Sequence, residues 1–158
     1  MIDEISLKIL KILQEKARIP NVEIARKVGM APSAVLERIR KLEKQGIIDG
    51  YEVILNPERF RRSLIAFVFV MTNRPEHELN IGKSLAEISE VQEVHFIAGN
   101  DCFLIKVRAA DTNELDDILK NKILVIKNIF STKTNIVLST EKETSRIPLD
   151  IAVLDHAK

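Results

Sequence analysis

The sequence predicts an α+β chain in two parts, a helical amino-terminal third followed by a βαββαβ body. Three observations lead there. Apolar spacing is helical over the first 45 residues and becomes strand-like alternation from Ser63 onward. An Asp49-Gly50 turn between apolar residues lies between the two regimes. Charge divides in the same region, because residues 1–62 hold 13 Lys/Arg against 9 Asp/Glu while residues 63–158 hold 11 against 14. A basic head on an acidic body fits a nucleic-acid-binding part joined to a part with another task.

The first helix is marked by Ile5, Ile9, Ile12 and Leu13, which fall on one side of a 3.6-residue spiral. Breaks follow at Ile19-Pro20-Asn21 and at residues 28–32. Between them a short second helix, residues 22–27, is expected to bury Val22 with Ile24 or Ala25. Gly29 supplies the turn to a third helix opened by Pro32, since proline suits a first helical turn where its missing amide would go unpaired. In that third helix Val35, Ile39 and Leu42 form the buried stripe, and Gly46 closes it. Residues 47–55 then read as a hairpin around Asp49-Gly50. Three helices and a hairpin make a winged helix-turn-helix over residues 1–55, with 56–62 as linker.

From Ser63 the elements read strand 64–72, helix 78–89, two strands around Gly99-Asn100-Asp101, helix 112–122 and strand 129–140. That order is the ferredoxin-like βαββαβ unit, placed over residues 63–140. In residues 64–71, Leu-Ile-Ala-Phe-Val-Phe-Val-Met, both alternating faces are apolar. An antiparallel sheet with helices on one side should leave its other face polar. A second copy of the chain is the expected cover, giving a homodimer. The tail, residues 141–158, is charged and then apolar around Ile147, Leu149, Ile151 and Leu154, and is free to dock on the body or on a neighbour.

Composition narrows the function classes. The chain is 46% hydrophobic and 30% charged, as an ordinary globular protein is. Its start carries Asp3, Glu4, Lys8 and Lys11 and does not read as a secretory or transit peptide. No run of about 18 apolar residues is present, so a cytoplasmic location without a membrane partner is expected. A single cysteine, Cys102, excludes a disulfide framework and a cysteine-based zinc site. His77, His95 and His156 show no metal-ligand spacing, and no cofactor, metal or nucleophile–base pair is expected. Cys102 reads as a small buried hydrophobe and His95 as a packed strand residue.

In a helix-turn-helix the second helix of the motif enters the major groove, with its amino-terminal residues at base edges. That places Ser33, Ala34 and Glu37 nearest the bases. Arg38, Arg40, Lys41 and Lys44 follow, within reach of phosphates or guanines. Glu37 repels phosphate but can accept from a cytosine amino group, which favours particular sites. Arg38 lies beside the buried stripe by helical angle, so it serves either as a DNA contact or in a salt bridge with Glu23 or Glu43.

The run from Glu23-Ile24-Ala25-Arg26-Lys27-Val28-Gly29-Met30 through Val35 and Arg38-Ile39-Arg40-Lys41-Leu42-Glu43-Lys44-Gln45-Gly46-Ile47-Ile48-Asp49-Gly50-Tyr51 resembles the amino-terminal signature of the Lrp/AsnC regulators. The likeness extends from Ile2 to about Leu149. It departs at Pro20 and Ala31, where the family has a serine-type N-cap. An absent cap typically costs about 1 kcal/mol, and at Ala31 only the backbone amide is left for a phosphate.

The resemblance implies a sequence-specific transcription regulator on a roughly palindromic double-stranded DNA site. It also implies a small effector, commonly an amino acid, between sensing domains of neighbouring subunits, and assembly beyond dimers to octamers. The turn concerned is Ala98-Gly99-Asn100-Asp101-Cys102. Asp101 suits an ammonium, while the Gly99 and Asn100 amides with Thr132 or Thr134 suit a carboxylate. Gly-Asn-Asp is also ordinary turn chemistry. Two other functions stay open: an architectural DNA-binding protein without effector, and an enzyme like the siroheme decarboxylases. The latter share the two-domain build, but their arginine-rich wing and paired histidines have no counterpart here.

Overall fold

The computed structural model describes residues 2–73, 78–99 and 102–149. The chain divides into two compact units, one formed by residues up to 54 together with those from 143 onward, the other by residues 55–142.

The head contains α1 (Glu4–Glu15), α2 (Asn21–Val28) and α3 (Pro32–Lys44). Helix α1 begins where it does because the Asp3 carboxylate accepts the Ser6 amide proton at 2.8 Å, a side-chain N-cap. Neither Pro20 before α2 nor Ala31 before α3 supplies a side-chain cap, as their side chains dictate. Gly29 ends α2 in the left-handed region at φ 71°, its amide donating to the Ala25 carbonyl. Ile9, Leu13, Ile19, Ile24, Ala25, Val35 and Ile39 form one buried cluster. Burying an Ile, Leu or Val side chain in full is worth about 1.5–3 kcal/mol. Packing of this kind, not intrinsic propensity, holds an eight-residue helix such as α2.

Two expectations for the head are corrected. Val22 is 54% exposed, whereas Ile24 and Ala25 are buried. Residues two apart point about 160° away from each other around a helix advancing 100° per residue, so Val22 cannot share the buried side with Ile24. The Asp49-Gly50 turn also closes no hydrogen-bonded hairpin, and residues 49–56 run without strand pairing. The Ile47 and Ile48 amides both donate to the Leu42 carbonyl at the end of α3, and Ile48 packs against the head cluster. The first arm of a hairpin is thereby committed to the helix terminus, and an isolated two-stranded ribbon is marginal on its own. The tail joins the head through Gln14, whose carboxamide accepts from the Ile147 amide at 2.9 Å and donates to the Ile147 carbonyl at 3.1 Å.

The body runs through a 3₁₀ turn at Pro57–Phe60, then β1 (Leu64–Thr72), α4 (Glu78–Ala86), β2 (Val91–Ile97), β3 (Cys102–Ala109), α5 (Thr112–Asp117) and β4 (Ile129–Ile136). The order across the sheet is β2-β3-β1-β4, with every pairing antiparallel, which is the expected βαββαβ arrangement. The second helix changes character: α5 continues as a π-helical turn at Ile118–Ile123. Residues five apart point about 140° away from each other on an α-helix, and wider i→i+5 turns bring them back together. Ile118 and Ile123 are accordingly both fully buried. Strand β4 stops short of the expected residue 140 because β1 begins at Leu64, and the last bond runs from the Val137 amide to the Ile65 carbonyl.

Register decides which side chains share a face. Ala66, Val68, Val70, Phe103, Ile105, Val107 and Ala109 lie under the helices with Ile81, Leu85, Leu115, Ile118 and Ile123. The opposite face of β1 carries Ile65, Phe67, Phe69 and Met71, aligned with Arg108, Lys106, Leu104 and Cys102 of β3. Phe67 there is 37% exposed. The doubly apolar strand is thus real, and its second face leaves Phe67 exposed and Phe69 and Met71 only partly buried.

Candidate nucleic-acid interface and effector turn

Helix α3 sorts its residues by angle. Val35, Ile39 and Leu42 are buried, the first two in the head cluster, and Ser33, Glu37, Arg40, Lys41 and Lys44 are exposed. At 100° per residue, Ser33, Glu37, Arg40 and Lys44 fall within about 60° of one another, so the expected reading face is a continuous surface. Ala34 sits half-buried at its margin. Because Ala31 offers no side chain to the first turn, the amides at that helix end remain suited to an anion such as phosphate.

Arg38 is placed differently from its neighbours. Its guanidinium donates to the Asp3 carboxylate at 2.5 Å and to the Ser6 hydroxyl at 3.1 Å, joining α3 to the start of α1. The salt bridge foreseen with Glu23 or Glu43 is therefore made with Asp3. The Ser6 amide and then the Arg38 guanidinium hold the Asp3 carboxyl well below the usual carboxylate range. Glu43 instead accepts from the Tyr51 hydroxyl at 2.9 Å, which ties the extended segment after α3 back to that helix. Partial burial, followed by this carboxylate, pushes the Tyr51 hydroxyl up to about 12.

In the body, the turn between β2 and β3 begins at Ala98 and Gly99, and Gly99 takes φ 98°, the positive value its missing side chain permits. Asn100 and Asp101 lie outside the described residues. Cys102 is fully buried and stands opposite Met71 and Ile97, so it belongs to the open side of the sheet. Thr132 and Thr134 are opposite Val70 and Val68, on the helix-covered side. Strand β4 is also two strand spacings from β3, about 10 Å. The two threonines and the turn are thus not gathered into one pocket within a single chain. On β4 it is Ser131, Lys133 and Asn135 that share the open side with Cys102, which strict alternation would have shown once the register to β1 was known.

The open side also holds a polar group of which only His95 was singled out in the sequence, and His95 is exposed there, not packed. Lys106 is 8% exposed and donates to Glu93 at 3.1 Å, while His95 lies 3.4 Å from the same carboxylate. Lys106 first, then His95, holds the Glu93 carboxyl below its ordinary value. Beyond the end of β3 Glu114 accepts from the Ala110 amide at 2.6 Å and from Arg62, and both lower its pKa in that order. Asp111 three residues before Glu114 is the sequence signal of this capping arrangement.

The same division of the chain appears in comparison with known proteins. A model described as winged helix-turn-helix DNA-binding matches residues 2–49, and one described as the Lrp/AsnC ligand binding domain matches residues 65–147. The leucine-responsive regulatory proteins of Klebsiella pneumoniae and Escherichia coli K12 are each 34% identical over 148 residues, spanning 92% of this chain and 90% of theirs. Among solved structures, Escherichia coli AsnC matches with a TM-score of 0.85 at 28% identity, over 94% of this chain and 99% of that one. A transcriptional regulator of Neisseria meningitidis in complex with L-Met matches at 0.89 and 28%, over 95% and 98%. A feast or famine regulatory protein of M. tuberculosis complexed with L-methionine matches at 0.86 and 29%, over 95% and 100%. With family models on both units and relatives at this identity across nine-tenths of both chains, the protein belongs to the Lrp/AsnC family of DNA-binding transcription regulators.

Proposed function

We propose that this chain is a sequence-specific regulator that binds a roughly palindromic operator as a homodimer and is modulated by an amino acid. The observation that carries the DNA half is the exposed face of α3, where Ser33 and Glu37 precede Arg40, Lys41 and Lys44 on one surface. The arrangement suits base readout at the helix start and phosphate contact along its length. Arg38, engaged with Asp3, acts as a support for that helix and not as a DNA contact.

Dimerisation is supported by the uncovered sheet face around Phe67, Phe69, Met71 and Leu104, which needs an apolar partner. An isologous pairing of that face would also set two α3 helices about a two-fold axis, matching a palindromic site. Leu124, Val125 and Phe130 remain exposed elsewhere on the body and support further assembly towards an octamer.

The effector reading places an amino acid at the turn from Ala98 to Cys102, with Asp101 opposite its ammonium. Two structurally similar regulators were solved with methionine, which makes L-methionine the first ligand to try. Because Thr132 and Thr134 lie on the other side of the sheet, the carboxylate donors come from the turn's own amides or from a neighbouring subunit. The test is a panel of the common amino acids, read by thermal shift and by DNA retardation. At least one should shift the melting temperature, and Asp101→Ala should abolish that shift. A flat response across the panel would support an architectural protein without effector.

A further inference from the structure

Among the large apolar side chains of α3, Val35, Ile39 and Leu42 are buried and Leu36 is not: 36% of it is exposed. Its direction accounts for this. At 100° per residue Leu36 lies about 40° from Arg40, about 60° from both Ser33 and the buried Ile39, and about 100° or more from Val35 and Leu42. It therefore stands at the margin of the polar face, within the first two turns of the helix, beside the arginine. A single exposed leucine is ordinary on a protein surface. One set among side chains that face base edges has a specific chemical counterpart, because the thymine C5-methyl is the apolar group that base pairs present in the major groove.

We propose that Leu36 is a specificity-determining residue that packs on thymine methyl groups, one per half-site, an inference that rests on the DNA-reading role of α3. Glu37 and Ser33 supply hydrogen-bond discrimination on the same helix, Glu37 accepting from cytosine N4 and the Ser33 hydroxyl bonding to a base edge. Leu36 supplies what neither can, namely preference for thymine over cytosine without a hydrogen bond. Its isobutyl group is about one-third exposed in the free head and loses that exposure against the methyl.

The experiment starts from duplexes selected by the full-length chain from a random pool, then replaces individual thymines by deoxyuridine, which removes only the methyl. Selected sites should hold a fixed thymine in each half. Its replacement should weaken the parent about fourfold per methyl, equal to about 0.8 kcal/mol for one buried carbon. Leu36→Ala should bind the thymine duplex more weakly by a similar factor and should no longer distinguish thymine from deoxyuridine, whereas Leu36→Met should still distinguish them. Leu36→Gln, which keeps length and adds polarity, provides a second variant should the alanine form fold poorly. An unchanged thymine-to-deoxyuridine ratio in Leu36→Ala and Leu36→Gln, or selected sites without a fixed thymine, overturns the assignment while leaving DNA binding intact. Failure of the parent to select any duplex overturns the reading of α3 itself, and Leu36 with it.

Discussion

Asp3 performs two tasks, capping α1 through the Ser6 amide and holding Arg38 of α3. Its carboxyl is about half-exposed, so the ion pair contributes little beyond the cap. Asp3→Ala should lower the stability of the head by about 1 kcal/mol at neutral pH, measured by urea denaturation. The folded-state pKa is depressed, so the carboxylate stabilises the fold above its unfolded value of about 3.9 and loses that contribution as pH falls through the folded value. The difference between parent and variant should therefore narrow below about pH 4. A difference that stays constant from pH 7 into acid would contradict the cap. The exposed residues of α3 divide by chemistry. Arg40→Ala should weaken binding to every duplex alike, whereas Glu37→Ala should reduce the gap between selected and scrambled duplexes, both read by titration at fixed salt. That these residues share one exposed face was legible from helical spacing alone. That Arg38 turns inward to Asp3 was not, because Asp3 is 35 residues away and only the packing of α1 on α3 brings it there.

At the scale of elements, the helix–turn–helix geometry depends on Gly29, which holds φ 71° with open space where a side chain would begin. Gly29→Ala meets no clash, so its cost is the backbone strain of a left-handed alanine, about 1–2 kcal/mol. A loss of that size in thermal or urea melts is expected, and a neutral substitution would contradict the turn assignment. The same glycine was readable in the sequence because it follows an apolar period and precedes Pro32. The segment after α3 was misread for an equally physical reason. Asp-Gly between apolar residues is a hairpin signal, but the Ile47 and Ile48 amides are used by the Leu42 carbonyl and cannot enter a ladder. The π turn after α5 was also invisible, since the pattern of residues 112–122 fits a helix either way. The turn between β2 and β3, proposed to hold the effector, is the least legible element. Gly99 announces a turn, but the face on which Thr132 and Thr134 lie follows from register to β1, and alternation along one strand cannot supply it.

For the whole molecule, the proposed dimer rests on the open sheet face. Val68 and Val70 are fully buried beneath the helices, while Phe67 between β1's two neighbours is left exposed on the other side. Phe67→Asp puts a charge on that face without touching the helix-covered core. It should convert a dimer into a monomer in sedimentation experiments while the monomer stays folded by circular dichroism. A dimer unchanged by this substitution would place the interface elsewhere. In the proposed dimer two heads read two half-sites, so the monomeric variant should also lose affinity for a selected palindrome more than for one half-site.

The most direct test of the central claim is the salt dependence of binding to a selected duplex. If Arg40, Lys41 and Lys44 from two subunits neutralise about six phosphates, the logarithm of the binding constant should fall against the logarithm of salt with a slope of about −5. Arg40→Ala should reduce that slope by about 2, one phosphate per subunit. The selected duplex should also remain tighter than its scrambled form at each salt concentration. Binding that is insensitive to salt, or equal affinity for every sequence, would contradict the account of α3 as the DNA-reading helix.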